Sequence, residues 1–82
     1  MPSARRPTYV EFVALLRRER RRLGVSQEEL AKRLQRPQSF VSKAEGTERR
    51  LDFVETLEWC RALGVTLDDI TPSEFRKKSG GA

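Results

Sequence analysis

Apolar residues recur at three- and four-residue spacing along most of the chain, and no stretch alternates strictly as a half-buried strand would. Tyr9, Phe12, Val13, Leu16 and Leu23 form one stripe and predict a first helix over about 8–23. Leu30, Ala31 and Leu34 predict a second over about 27–34, and Phe40, Val41 and Ala44 a third over about 38–45. Val54, Leu57, Cys60 and Leu63 mark the inward line of a fourth over about 53–63, with Phe53 and Trp59 to its sides. A fifth short helix begins near Leu67 and includes Ile70. The expected fold is all-α: a compact bundle of five helices.

Polar punctuation agrees with those limits. A capping residue is followed three positions later by an acid at Thr8 and Glu11, Ser26 and Glu29, Asp52 and Glu55, and Thr66 and Asp69. The first two pairs fit the capping box, in which each side chain satisfies an orphan backbone N–H, and the other two are close variants. Leu23-Gly24-Val25 and Leu63-Gly64-Val65 each place a glycine and then an apolar residue after a helix, as a left-handed helix end requires. The ends lack apolar periodicity, so a flexible arm over 1–7, one domain over 8–75 and a disordered tail over 76–82 are expected.

Composition narrows the chemistry. The 82 residues suffice for one small domain, with 37% apolar residues for a core and 35% charged residues for the surface. There is no histidine and a single cysteine, Cys60, which excludes an internal disulfide and the usual Cys/His zinc sites and removes the commonest general base. No metal, cofactor or catalytic residue is implied, and an enzyme is not expected. Cys60 reads as a small packing residue of the fourth helix. No apolar run reaches the roughly 20 residues that span a bilayer, and the first residues lack the apolar stretch of a signal peptide, so a cytoplasmic protein with no membrane partner is expected.

Charge adds direction. The net charge is +5, but residues 1–50 carry +7 and residues 51–82 carry −2. Thirteen of the 17 bases are arginine, the side chain suited to bidentate phosphate and guanine contacts. A front facing a polyanion and a more neutral back follow from that asymmetry.

The second and third helices are separated only by "QRPQ", and two short helices joined by a tight turn describe a helix-turn-helix. In that geometry the second helix of the pair projects its first side chains outward, and a DNA major groove admits one helix. Gln38, Ser39 and Lys43 then lie exposed while Phe40, Val41 and Ala44 face the core. Glutamine can pair with adenine, lysine with guanine and serine with either.

"SQEELAKRL…SFVSKAE" followed by "ERRLDFVETLEWCRALGVTLDDI" resembles the lambda-repressor-like, Cro/Xre class of helix-turn-helix DNA-binding domains over roughly residues 10–71. The resemblance implies that Gln27, at the start of the second helix, grips a DNA phosphate, with Ser26 adding a hydroxyl. It places base reading on Gln38, Ser39 and Lys43, with Ser42 and Arg36 as flanking contacts. It also pairs Arg20 with Glu45 as a structural ion pair. Arg17 is the member of the arginine run expected nearest the DNA backbone, and Arg49 and Arg50 are further phosphate candidates. Three positions depart from the family pattern. Ala44 stands where a large apolar residue is usual, leaving room for Trp59 or Phe53. Gly46 comes one residue early, with Thr47 next, so the loop 46–51 need not follow the family course. Pro37 replaces a capping residue, although its fixed φ suits a first helical turn.

The function expected from these residues is sequence-specific double-stranded DNA binding by a transcriptional regulator, a repressor acting as a homodimer on a pseudo-palindromic operator. Trp59, Ile70 and Phe75, in the less basic half, are candidates for the dimer surface. Two other readings share the fold: an antitoxin that autorepresses its operon beside a toxin partner, and a protein–protein adaptor that reads no bases.

Overall fold

A computed structural model of the protein describes residues 6–76. Four α-helices run in order: α1 (Pro7–Arg22), α2 (Gln27–Leu34), α3 (Gln38–Glu45) and α4 (Phe53–Leu63). Two single 3₁₀ turns, Asp68–Ile70 and Ser73–Phe75, follow. The expected fifth helix is therefore a 3₁₀ turn, and no strand occurs among the described residues. Thr71 already has extended backbone and Pro72 follows it, so the segment stops before a second helical turn can form. Apart from Arg6, Pro7 and Arg76, the expected N-terminal arm and C-terminal tail lie outside the described residues.

The helix ends show which punctuation the backbone uses. Asp52 and Glu55 form a complete capping box: the Asp52 side chain accepts from the Glu55 N–H at 2.7 Å, and Glu55 Oε1 accepts from the Asp52 N–H at 3.0 Å. Ser26 caps α2 by accepting from the Glu29 N–H at 3.0 Å. Thr66 and Asp69 exchange the same reciprocal bonds ahead of a 3₁₀ turn. Thr8 and Glu11 do not cap. Pro7 occupies the first position of α1, so Thr8 lies inside the first turn. Its hydroxyl donates instead to Glu74 at 2.5 Å, and Glu11 accepts from the Ser73 N–H at 3.0 Å. These two bonds tie the last 3₁₀ turn to the start of α1.

Gly24 and Gly64 take left-handed backbone, at φ 71° and 74°. At the first, the Val25 N–H reaches Arg20 O and the Gly24 N–H reaches Arg21 O, which closes the carbonyls of α1 in a Schellman motif. Two further residues are left-handed without being glycine: Gln35 at φ 57° between α2 and α3, and Thr47 at φ 62° after α3. Gly46, by contrast, has φ −89°. The loop thus places its left-handed residue one position past its glycine, on a β-branched side chain that strongly resists that conformation.

The core gathers Leu16, Leu30, Val41, Trp59 and Ile70 as its largest fully buried side chains. Trp59, 0% exposed, packs its ring 6.0 Å from that of Phe40 and shares the core cluster with Ala44. Phe53 stays outside, so Trp59 is the large residue that accompanies the small Ala44. The inward line of α4 is Thr56, Trp59, Cys60 and Leu63, not the line through Val54 and Leu57. Both lines have helical spacing. The tryptophan decides between them, because one turn of the helix about its axis that buried Val54 would leave the largest apolar side chain in water. Leu23, expected on the α1 stripe, is 41% exposed at the helix end.

Thr47→Gly is expected to raise stability by about 1 kcal/mol by relieving the left-handed backbone. Thermal unfolding followed by circular dichroism should show the midpoint rising several degrees.

Candidate nucleic-acid interface

The turn between α2 and α3 consists of Gln35, Arg36 and Pro37. The Arg36 N–H closes on Ala31 O at 3.0 Å, and the Gln35 N–H on Lys32 O at 3.1 Å, so α2 is sealed as α3 begins. Pro37 stands at the N-cap of α3, whose first turn has no side-chain cap. Gln38 and Ser39 therefore have their side chains free of capping duty. On α3, Val41, Ala44 and Glu45 are buried, while Gln38, Ser39, Ser42 and Lys43 are all exposed. Gln38 and Ser42, and Ser39 and Lys43, are four apart and form adjacent rows of one face. The four base-reading candidates lie together on this face.

Behind that face sits a buried ion pair. Arg20 Nε donates to Glu45 Oε2 at 2.7 Å and Arg20 Nη2 to Glu45 Oε1 at 2.9 Å, a two-pronged contact in which both side chains are almost wholly buried. Arg20 Nη1 also donates to Val25 O at 2.8 Å, holding the α1–α2 turn. Glu45 Oε1 accepts a further bond from Gln27 Nε2 at 3.0 Å. An ionised carboxylate takes only donors, so Glu45 fixes the Gln27 amide with its nitrogen inward. One amide hydrogen remains for an outside partner at the N-terminal end of α2, where backbone N–H groups and the helix dipole favour an anion. Ser26 is exposed beside it, with its hydroxyl hydrogen uncommitted by the cap bond.

The arginines divide by partner. Arg18 and Arg22 both close on Glu19, at 3.0 and 2.6 Å, and Arg18 reaches Asp69 O at 3.2 Å to anchor the first 3₁₀ turn. Arg17 is half-buried, and no carboxylate among the described residues pairs with it. Arg36 and Arg49 converge on Glu55, at 3.4 and 2.6 Å, and both guanidiniums lie over the Phe40 ring, at 4.4 and 5.2 Å. Arg50 lies over Tyr9 at 4.6 Å, and the Leu51 N–H donates to the Tyr9 hydroxyl at 2.9 Å. Three expected phosphate ligands thus have internal partners, although Arg36 and Arg49 each keep outward area, at 39% and 43% of their side chains.

Trp59 and Ile70 do not belong to any surface. They are 0% and 2% exposed, and of the three dimer candidates only Phe75, at 65%, faces water. Their burial follows from apolar size: one is the centre of the core and the other the plug between the first 3₁₀ turn and α1.

Glu55 and Glu19 are the residues whose weight was not visible beforehand. Glu55 could be read as a cap partner from its spacing to Asp52, but its double load of arginines depends on the loop course. Burial pushes its carboxyl upward, yet the Asp52 backbone N–H and the Arg49 guanidinium outweigh that and hold it below the usual value. Glu19 is likewise lowered, chiefly by the hydrogen bond from Arg22, against its own burial and together with Arg18.

A sequence model described as a helix-turn-helix domain matches residues 11–71. The chain belongs to that family. The match spans α1 from its second turn through the first 3₁₀ turn, and so contains the Arg20–Glu45–Gln27 chain and the arginines gathered on Glu19 and Glu55, but not Tyr9. Membership in the helix-turn-helix family implies DNA binding and agrees with the Cro/Xre-like resemblance of the sequence. No curated protein matches the chain.

Two outcomes follow from the buried charges. Glu45→Ala leaves Arg20 buried without its carboxylate and is expected to cost about 3–5 kcal/mol, enough to unfold much of a domain this size in a denaturant titration. Glu19 and Glu55, with folded values below their unfolded ones, contribute stability that is complete above the unfolded carboxylate value and disappears as pH falls through the folded value. The thermal midpoint should therefore hold steady at neutral pH and fall below about pH 5. Glu55→Gln should lower it at neutral pH and flatten the acid limb.

Proposed function

We propose that this helix-turn-helix protein is a sequence-specific regulator of transcription that reads double-stranded DNA with α3. Gln38, Ser39, Ser42 and Lys43 form the base-reading face, and Gln27 with Ser26 clamps a phosphate at the start of α2. The observation that carries this reading is the chain Arg20–Glu45–Gln27, which orients one amide at a helix N-terminus next to an exposed polar helix face. A surface kept only for solubility has no need of an oriented amide. Arg17, and the outward edges of Arg36, Arg49 and Arg50, add phosphate contacts at the flanks.

One such domain reads only a few base pairs, too few to single out a genomic site, so two copies act on a pseudo-palindromic operator with half-sites about one helical turn apart. Repression is the simplest mode for such a DNA-reading domain, since occupying a promoter needs no further contact. A cytoplasmic location fits that role in a cell whose chromosome lies in the cytoplasm.

Selection of bound duplexes from a randomised library at physiological salt is the direct test. A two-fold symmetric motif is expected. Gln38→Ala and Lys43→Ala should each relax preference at one position by about 1–3 kcal/mol, while Gln27→Ala should weaken all sequences alike and leave the salt slope nearly unchanged, because the lost amide carries no charge. Folded protein that enriches no sequence would sink base reading by this chain.

A further inference from the structure

A groove of about 370 Å³ is walled by the start of α1, the end of the loop before α4, the first turn of α4 and residues 72–75. Tyr9, Phe12, Phe53 and Phe75 all line it, and the Tyr9 and Phe12 rings lie 5.4 Å apart. Phe53 and Phe75 are 67% and 65% exposed, so two of the four phenylalanines of the chain meet water at one place. Scattered exposed apolar side chains are ordinary. A concave cluster of rings with a few polar groups has the composition of a small-ligand site.

The polar groups name the ligand. The charged residues of the lining are Arg6, Arg50 and Asp52. Asp52 is committed, since its Oδ1 accepts from the Glu55 N–H at 2.7 Å as the cap of α4. The arginines are not: among the described residues no carboxylate pairs with Arg6 or Arg50. The Arg50 guanidinium lies over the Tyr9 ring at 4.6 Å, with its N–H groups left to donate. The Tyr9 hydroxyl accepts from the Leu51 N–H at 2.9 Å and so keeps its own hydrogen for an outside acceptor. A guanidinium fork matches the two oxygens of a carboxylate. We infer that this groove binds a small planar aromatic carboxylate, its ring among the four aromatic side chains and its oxygens on Arg6 and Arg50. Asp52 offsets one of the two cations, which favours a singly charged acid over a phosphate dianion.

Size favours a free small molecule over a protein. The volume falls at the small end of ligand sites, which run from roughly 300 to 1,000 Å³. Two phenylalanines about two-thirds exposed present roughly 200–300 Å², well short of the roughly 800 Å² per partner that stable complexes bury. A bare polyanion would gain nothing from four rings. Occupancy has a consequence for DNA, and this step alone rests on the DNA-reading proposal. Arg50 there supplies a flanking phosphate contact, and a guanidinium held by the acid is withdrawn from the phosphate. The acid therefore weakens DNA binding, and by linkage DNA weakens binding of the acid by the same factor.

An NMR titration of the full chain with 2-naphthoate, without DNA, tests the site. The controls are 2-naphthalenemethanol, which has the rings without the charge, and octanoate, which has the charge without a ring. Saturable amide shifts confined to residues 6–12, 50–56 and 72–75 are expected, with both controls at least about ten-fold weaker. Arg6→Gln and Arg50→Gln, both exposed, should each weaken naphthoate about ten-fold, the size of a lost charge-assisted hydrogen bond. Lys43→Ala, on the exposed face of α3, should bind it like the wild type, and circular dichroism verifies the fold of each variant. No saturation in the millimolar range, shifts spread along the arginines of α1, or a control that binds equally well would overturn the site. So would contacts from residues 1–5 or 77–82 to Phe53 and Phe75 in the free protein, or shifts on dilution, which assign the groove to the chain itself or to a second copy. With the selected duplex, saturating naphthoate should weaken DNA binding by at least about five-fold relative to equal octanoate, and Arg50→Gln should abolish that effect. Unchanged DNA affinity would overturn the coupling, whereas naphthoate binding by a protein that selects no DNA would overturn the DNA reading alone.

Discussion

Arg20 and Glu45 meet in the interior, where either charge alone would cost several kcal/mol, and three elements depend on that contact. Arg20 comes from α1, Glu45 closes α3, and the remaining guanidinium nitrogen holds Val25 O in the turn before α2. The pair therefore locks α3 to α1 and, through Gln27, fixes the first side chain of α2. A buried hydrophobic pair could supply equal stability, but it would leave the Gln27 amide without a partner that selects its orientation. The ion pair joins stability to the geometry of the candidate interface.

A second acid does related work on the other side of α3. Glu55 collects Arg36 from the turn before α3 and Arg49 from the loop after it, while Phe40 lies beneath both guanidiniums. The two segments that flank α3 are thereby fastened to the start of α4. The same acid caps that helix, so its carboxylate satisfies a backbone N–H and two cations at once. Rigid support at both ends keeps α3 in place although eight residues alone would not hold a helix in water.

Much of the fold was legible because the signals were local. Caps at Ser26 and Asp52, left-handed glycines at 24 and 64, and helical spacing through α2 and α3 concern residues within one or two turns of each other. The exposed face of α3 was legible for the same reason. Where several placements satisfied the same local rule, the sequence alone could not choose. Val54 and Leu57 have the spacing of a core stripe, and only the need to bury Trp59 turns α4 the other way. Thr8 and Glu11 have the spacing of a capping box, and only Pro7 and the returning 3₁₀ turn recruit them elsewhere.

The sequence by itself determined an all-helical architecture, the positions of its four α-helices, a first half richer in bases and a polar face on α3, since periodicity, caps and charge are properties of neighbouring residues. Tertiary structure decided which arginines are committed to internal acids, which side of α4 faces water, and that the left-handed loop residue is Thr47 rather than Gly46. Those outcomes depend on groups far apart in sequence. A guanidinium takes the carboxylate that the fold brings within reach, and a helix buries the face that leaves the least apolar surface in water.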